Sequence, residues 1–567
     1  MNESLNSMAL KDRVVGAKGT KAESGTALDQ PEPLRTLRGW VDSIEAETHT
    51  FVLRSQDNLY NIRCDKPELS ETYRALKSEW VIAATVEGEH QATETQTAPV
   101  LFCTALEVLN SCENPPFTPS NRTEVSANLR ARYRYLEFRD PQVQKIFRMR
   151  HKLMHSISND LDNRGCISIE TPVLATPSAS GAKEFHVSSS RTTDVSYALP
   201  QSSQTYGQLL VLGGVEAYYQ WSRCFRDEDL RANRQPEFTQ LHLEVAFVDQ
   251  DELMCMIEGV LMNACRAVGA SFETSIPRLS YDDALRRYGT DKPDLRFDVL
   301  PELLPYLVTE SPFGADLNLI LSPLPAEVEL TIEDVKVLRE AAQQWKFTLL
   351  GFLPESDARR FIKPQLTYEE VLSVLPLREE FAPSRVPVWL GRWKFVDNLR
   401  RTVYSYLAQN KKLYSEILSF LWIVDFPLFT VDPENSGKLV SQNHPFTAPA
   451  DIEQLLACRK HKDLLKLTSQ AFDLVLNGEE IGSGSMLIHQ LELQRHILNL
   501  LGFSRKSVRQ YFGFILDALR FGAPPMGGFG LGFDRFVATL CGEDKIRNVI
   551  AFPKTKQGYC PVTRAEG

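Results

Sequence analysis

Between residues 34 and 113 apolar and polar positions alternate in short runs: Leu37-Arg-Gly-Trp-Val-Asp, Thr50-Phe-Val-Leu-Arg, Tyr60-Asn-Ile-Arg-Cys and Trp80-Val-Ile-Ala-Ala-Thr-Val. Successive side chains of a strand face opposite sides, so such runs at short spacing predict a small β-barrel. Asn114-Pro-Pro-Phe-Thr-Pro-Ser breaks the pattern and opens a linker over residues 114–143. The period then changes: from Val143 to Arg164, Ile146, Met149, Leu153, Ile157 and Leu161 fall on one side of a helix. Short apolar strands and helices follow to residue 294, completing the first part (144–294) of a central domain. Residues 295–418 read as an inserted α/β domain, with a helix over Ile332–Trp345 between short strands, and residues 419–567 resume the central domain. No segment repeats. Residues 1–33, rich in Ser, Gly and Ala, read as a disordered tail.

A chain of 567 residues is too long for one hydrophobic core, which agrees with this division. A net charge of −10 gives no general pull toward phosphate backbones, so any nucleic-acid contact needs a local basic surface. No apolar run approaches the length of a membrane span, and no membrane partner is expected. None of the ten cysteines forms a Cys-x-x-Cys pair, so the expectation is free thiols in a reducing compartment rather than structural zinc. Residues 1–30 carry four basic and four acidic side chains, unlike an acid-poor mitochondrial presequence. The cytoplasm is the expected location, with the mitochondrial matrix the alternative.

Chemistry concentrates in three places. Arg223-Cys-Phe-Arg-Asp-Glu-Asp-Leu-Arg-Ala-Asn-Arg-Gln-Pro-Glu-Phe-Thr-Gln is an Arg-rich loop between strand-like Tyr218–Phe225 and Thr239–Val248. Two strands joined this way can set cations and an aromatic ring around a nucleotide; a hairpin with solvated charges is the plainer alternative. Asp473-Leu-Val-Leu-Asn-Gly-Glu-Glu-Ile-Gly-Ser-Gly-Ser offers the carboxylates of Asp473 and Glu480, oxygen ligands that suit Mg²⁺ shared with phosphate. Gly522-Ala-Pro-Pro-Met-Gly-Gly-Phe-Gly-Leu-Gly-Phe-Asp-Arg-Phe supplies glycines for close ligand approach, followed by Arg535.

These segments resemble the class II aminoacyl-tRNA synthetases, in the bacterial and mitochondrial aspartyl form. Phe-Arg-Asp-Glu…Arg-Gln-Pro-Glu-Phe-Thr-Gln is similar to motif 2, Gly530-Leu-Gly-Phe-Asp-Arg535 to motif 3, and Ile169-Glu-Thr-Pro172 to the end of motif 1. Tyr288-Gly-Thr-Asp-Lys-Pro-Asp-Leu-Arg296, Trp422-Ile-Val-Asp-Phe-Pro427, His444-Pro-Phe-Thr447 and Arg547-Asn-Val-Ile-Ala-Phe-Pro-Lys554 extend the resemblance over residues 34–556. It implies an α+β fold: an antiparallel-sheet catalytic core, an N-terminal OB-fold barrel that reads the anticodon, and an α/β insertion domain. It also implies a homodimer, a tRNA partner, and use of ATP and Mg²⁺ to form an aminoacyl-adenylate. By motif match Arg226 would hold the α-phosphate and act catalytically with Arg535, which reaches the γ-phosphate. Glu228 would take the adenine edge, Phe238 would stack on adenine, Arg234 would add a phosphate contact, and Asp473 and Glu480 would hold Mg²⁺.

The pocket for the small acid departs from the family. Its side-chain-binding Arg, in Gly-Gly-Gly-Ser-x-Arg-Ile-His, is Leu487 in Gly482-Ser-Gly-Ser-Met-Leu487-Ile-His. Its Lys, in Gln-Ser-Pro-Gln-x-x-Lys-Gln, is Gly207 in Gln201-Ser-Ser-Gln-Thr-Tyr-Gly207-Gln, while Gln204 keeps its place. Thr-Gln-x-Asp is Thr239-Gln-Leu-His242, and Thr-Pro-Glu-Gly-Ala is Thr176-Pro-Ser-Ala-Ser-Gly-Ala182, with Ser178 in place of the acid. With His444, these positions make up the expected substrate pocket. Removing one partner of a buried charge pair costs roughly 3–5 kcal/mol, on the order of a hundredfold or more in binding. The ATP half is therefore expected to work and aspartate selection to fail. From Thr36 to Pro116, 13 acidic residues against 6 basic leave a net of −7, a poor surface for tRNA. Three readings follow: a divergent aspartate–tRNA ligase, a paralogue that adenylates another carboxylic acid for a non-tRNA acceptor, and a non-catalytic ATP-binding relative.

Overall fold

Residues 34–55, 58–90, 99–177, 183–190, 196–270, 272, 275–297, 304–309, 317–321, 330–354, 365–367, 385–392, 395–411, 418–432 and 437–563 are described by a computed structural model. The tail at 1–33 lies outside them. The chain divides into two units, Met1–Ser126 with Tyr135–Pro141, and Ala127–Arg134 with Gln142–Gly567.

In the first unit the alternating runs close a five-stranded barrel, in the order Arg35–Glu45, Thr50–Ser55, Asn58–Arg63, Val100–Asn110, Val81–His90. Val41, Leu53, Ile62, Ile82 and Val86 fill it, and Phe51 joins them at 1% exposed, so its ring is core. The opening strand crosses its neighbour so closely at Gly39 that a Cβ would lie 2.1 Å from the Arg54 carbonyl oxygen. Arg54 itself is buried between Asp42 and Glu79, the latter at 2.6 Å, and Arg139 reaches the other Glu79 oxygen at 2.8 Å. One of the barrel's few basic residues is thus committed inside it.

The second unit is built on an eight-stranded sheet ordered Arg278–Ser280, Phe420–Val424, Ala471–Leu476, Glu479–Leu487, Met526–Gly532, Glu237–Ala246, Ala217–Phe225, Ile167–Ser168. The six central strands are antiparallel and only the two edge pairings are parallel. The helical pattern noted from Val143 is realised as Pro141–Asn163, burying Val143, Leu153, Ile157 and Leu161. With helices Gln250–Ala267 and Phe533–Leu540 it covers one face of the sheet, where Leu241, Leu243, Val245, Leu474, Met486 and Phe529 point. The alternate residues of the same strands, among them Gln240, His242 and Glu244, are left for the opposite face.

Inserted between the two halves is a second, five-stranded sheet: Thr348–Pro354, Arg385–Gly391, Leu317–Leu321, Leu304–Thr309, Gln365–Thr367. Helix Ile332–Gln343, capped by the Thr331 hydroxyl on the Asp334 amide, packs with Val396–Lys411 over Trp389, Phe347 and Ile320. It stops two residues before the expected Trp345. Among the described residues no helix is long and apolar enough to cross a membrane. The α+β class, with its barrel, is as expected from sequence.

Candidate active site

Two cavities adjoin on the open face of the eight-stranded sheet. The first, of about 220 Å³, is lined by Arg226, Glu228, Arg234, Phe238, Glu480 and Arg535, so the sequence-predicted nucleotide residues converge despite a separation of some 300 positions. The second, of about 260 Å³, is lined by Gln204, His242, Glu244, His444, Ser485 and Leu487. Arg226, Gln240, Ser483 and Gly530 border both. The glycines of the Met526–Gly532 strand are what keep this face open. A Cβ on Gly530 would fall 2.4 Å from the Gln240 amide nitrogen, and one on Gly528 would fall 2.5 Å from both Glu244 carboxyl oxygens.

Within the first cavity the Arg226 guanidinium lies over the Phe238 ring, 5.1 Å from its centroid, and the buried Arg226 Nε has no hydrogen-bond partner. A cation stacked on an aromatic ring with a donor unspent can receive an anionic oxygen. Arg234 Nη1 donates to Glu228 Oε2 at 2.6 Å, so two side chains with separate expected duties pair with each other here. Arg535 is held by backbone carbonyls, donating to Glu480 at 2.9 Å and Asn233 at 3.3 Å. Its neighbour Asp534 accepts from the Thr239 amide at 2.8 Å and from Arg150 at 2.6 Å, which ties the motif 3 helix to the motif 2 strand.

Asp473 and Glu480 sit on adjacent antiparallel strands. Burial pushes the Asp473 carboxyl up to about 7, and the Glu480 charge adds to this against the opposing effect of Lys292 and a Ser483 hydrogen bond. Lys292 Nζ is 2.7 Å from Asp291 and 3.4 Å from Glu480; burial disfavours its charge, but Glu480 and Asp291 outweigh that and raise its pKa. Asp473 Oδ1 is buried without a partner. No three His, Cys, Asp or Glu among the described residues are grouped to hold an ion by themselves. Two carboxylates, one with an orphan oxygen, fit Mg²⁺ whose remaining ligands come from phosphate and water. Lys292 belongs to this cluster, although the motif that contains it carried no role in the sequence.

In the second cavity His444 is half-buried, and desolvation drives its pKa down to about 4, so the ring is neutral at pH 7. Its Nδ1 accepts from the Phe446 amide at 3.3 Å, and its Nε2 lies 3.0 Å from the Gln204 amide nitrogen and 3.3 Å from the Ser485 hydroxyl. Leu487 is 2% exposed and packs with Val211, Ala246 and Met526 behind this wall. Ser178 lies outside the described residues. Arg226 is the only Lys or Arg among the described lining residues, so no other described cation borders the cavity beside Leu487.

Gly207 does not line the cavity. It is buried in helix Gln204–Leu212, and a Cβ there would lie 2.7 Å from Tyr218 Cε1 and 3.1 Å from Glu244 Cγ. Tyr218 thus occupies the room a side chain at 207 needs. Gly207→Lys gains roughly 0.5–1 kcal/mol of helix propensity, but overpacking a core costs typically 1–3 kcal/mol. A net loss of stability is expected in urea unfolding, and an unchanged or raised midpoint would show that Tyr218 yields freely. Glu244, Asn443 and Lys292 are site residues that sequence reasoning missed. The alternation Gln240-Leu-His242-Leu-Glu244 was the available signal for the first.

The chain is similar to known proteins of one group. The family described as tRNA synthetases class II (D, K and N) matches residues 126–556. The aspartate–tRNA ligase of Streptococcus thermophilus is 36% identical over 94% of this chain and 93% of its own length. The aspartate–tRNA(Asp/Asn) ligase of Persephonella marina is 33% identical over 93% and 92%. Among solved structures, an asparaginyl-tRNA synthetase from Pyrococcus horikoshii complexed with asparaginyl-adenylate is similar at a TM-score of 0.57 and 17% identity, covering 92% of this chain and 95% of that one. One from Entamoeba histolytica reaches 0.58 at 15% identity, covering 93% and 96%. At these identities the solved structures speak to fold alone.

Proposed function

Because the chain belongs to the class II aminoacyl-tRNA synthetases of the aspartate, lysine and asparagine group, which are ATP-dependent ligases, we propose that it adenylates a small amino acid whose side chain is not a carboxylate. One observation carries this reading: Arg226 is the only Lys or Arg among the described residues lining the acid cavity, and it stands at the nucleotide end. In the reaction the α-carboxylate oxygen of the acid attacks the α-phosphorus of ATP. The bond from that phosphorus to the bridging oxygen breaks, pyrophosphate leaves, and the acyl group then passes to an acceptor, a tRNA in this family. Arg226, at the junction of the cavities, meets the phosphate oxygens where charge builds. Phe238 carries the adenine, Glu228 its edge, and Arg234 and Arg535 the outer phosphates. Mg²⁺ on Asp473 and Glu480 supplies charge neutralisation at the phosphates when bound.

A second carboxylate entering this cavity would lose its water and gain no cation, the same penalty of roughly 3–5 kcal/mol that an unpaired buried charge carries. The rival reading, ordinary aspartate specificity, is favoured by 36% identity to an aspartate–tRNA ligase. Pyrophosphate exchange measured across the amino acids decides between them. Aspartate is expected to support exchange at least about a hundredfold less efficiently than the best acid, and aspartate as the preferred acid would overturn the proposal. The barrel's acid excess, with Arg54 buried, further supports weak, readily salted-out binding of tRNA.

A further inference from the structure

One side chain of the inserted domain reaches the framework that carries the metal-binding pair. Helix Val396–Lys411 buries Val396, Leu399, Val403 and Leu407 in the core of that domain. Asp397 and Arg401 stand one turn apart on another face, and Arg401 Nε donates to Asp397 Oδ2 at 2.7 Å. Arg401 Nη2 then donates to two carbonyl oxygens of the catalytic half, Gly478 at 2.7 Å and Lys292 at 3.1 Å. Gly478, with a φ of +78°, and Asn477, with a φ of +51°, make the turn between the strands of Asp473 and Glu480. That turn is pressed against the guanidinium. A Cβ on Gly478 would lie 3.0 Å from Arg401 Nη2 and 2.9 Å from Asp294 Cβ. Arg400, the preceding residue, donates to the Asp294 carbonyl at 2.9 Å and lies over the Tyr288 ring, 4.6 Å from its centroid.

We infer that Arg401 is a positioning residue for the metal site: it ties the Lys292 backbone to the Gly478 turn, and so sets the 3.4 Å between the Lys292 ammonium and Glu480. The inference rests on the reading that Asp473 and Glu480 hold Mg²⁺. Glu480 stands two residues beyond Gly478, and Lys292 is itself the residue held, so movement at either carbonyl reaches the cluster directly. The turn has a second anchor, since the Ser419 amide donates to the Asn477 side chain at 3.0 Å. Arg401 adds the link from that turn to the lysine segment through a single nitrogen. Residues 295–418 supply none of the described lining of either cavity, so the inserted domain acts on adenylation through this contact. Groups one step behind the ligands fix where ligands point, and losing one typically costs about ten- to a hundredfold in metal affinity.

The test follows ATP binding to the full chain by calorimetry, with no acid present and Mg²⁺ varied, so that binding is read without turnover. Arg401→Ala should raise the Mg²⁺ concentration that half-saturates ATP binding by about tenfold, the lower end for a group behind the ligands. ATP affinity in EDTA should be unchanged, because Arg226 and Phe238 are fixed on each other at a separate strand pair. Arg401→Lys keeps a donor but loses the fork, so its midpoint should fall between those of wild type and Arg401→Ala. A midpoint for Arg401→Ala within about twofold of wild type overturns the inference. An equal loss of ATP affinity with and without Mg²⁺ also overturns it, since that marks a merely structural part. Asp473→Asn, measured alongside, separates the two failures. If its midpoint alone shifts, the metal assignment stands and the role of Arg401 falls; if neither variant shifts, both fall. Should Arg401→Ala fail to fold, the Arg401→Lys midpoint decides.

Discussion

Arg226→Ala is expected to lower the maximal rate of pyrophosphate exchange by on the order of a thousandfold, because one fixed donor at a developing oxyanion is worth roughly a hundred- to a thousandfold. Arg226 stands at the upper end of that range for geometric reasons. It borders both cavities, its guanidinium is fixed against Phe238, and its buried Nε is uncommitted. No other described Lys or Arg lines the acid cavity, so nothing nearby takes over the charge. KM for ATP should rise far less than the rate falls, since Arg535 remains anchored on the Glu480 and Asn233 carbonyls. Arg234→Ala is the natural comparison. Its side chain is 43% exposed and paired with Glu228, and exposed pairs are worth little, so a loss of about tenfold or less is expected. Steady-state exchange at saturating acid checks both variants. A rate within threefold of wild type for Arg226→Ala would remove Arg226 from the adenylation step.

How much of this was legible in the sequence depends on which physical relation is asked for. Period-2 alternation reveals which strand residues share a face, and it foretold the barrel. Family motifs bring together Arg226, Phe238, Glu480 and Arg535 because the spacing of those motifs reflects one ligand held by distant strands. Adjacency created only by folding stays hidden. Nothing in the sequence places Lys292 within 3.4 Å of Glu480, almost two hundred positions on. Likewise, reading Gly207 as a simple vacancy misses that Tyr218, eleven residues later, fills it through the sheet. The pairing of Arg234 with Glu228 is of the same kind: both lie in one loop, but only the loop's path turns them toward each other.

Asp473→Asn is expected to weaken exchange on the order of a hundredfold, since a metal at the phosphates supplies several kcal/mol of charge stabilisation. It should also change how stability depends on pH. With its carboxyl raised to about 7 by burial and Glu480, against about 3.9 when unfolded, Asp473 keeps a proton in the folded state that the unfolded chain has lost. Its contribution to stability is therefore fully present below about pH 4 and falls as pH rises toward 7, by at most about 1.4 kcal/mol per unit. His444 works in the opposite sense. Its pKa, lowered to about 4, makes stability fall as pH drops from about 6.5 toward 4. The two slopes partly cancel in wild type, so the informative quantity is the variant minus wild type across pH 4–8. Asp473→Asn should gain stability relative to wild type as pH rises through that window. Mg²⁺ with ATP should stabilise wild type increasingly above pH 7, because ligation requires the proton to leave, and should do so much less for the variant. A variant whose urea midpoints run parallel to wild type at every pH, with the Mg²⁺ response intact, would show that Asp473 is neither the raised acid nor a metal ligand.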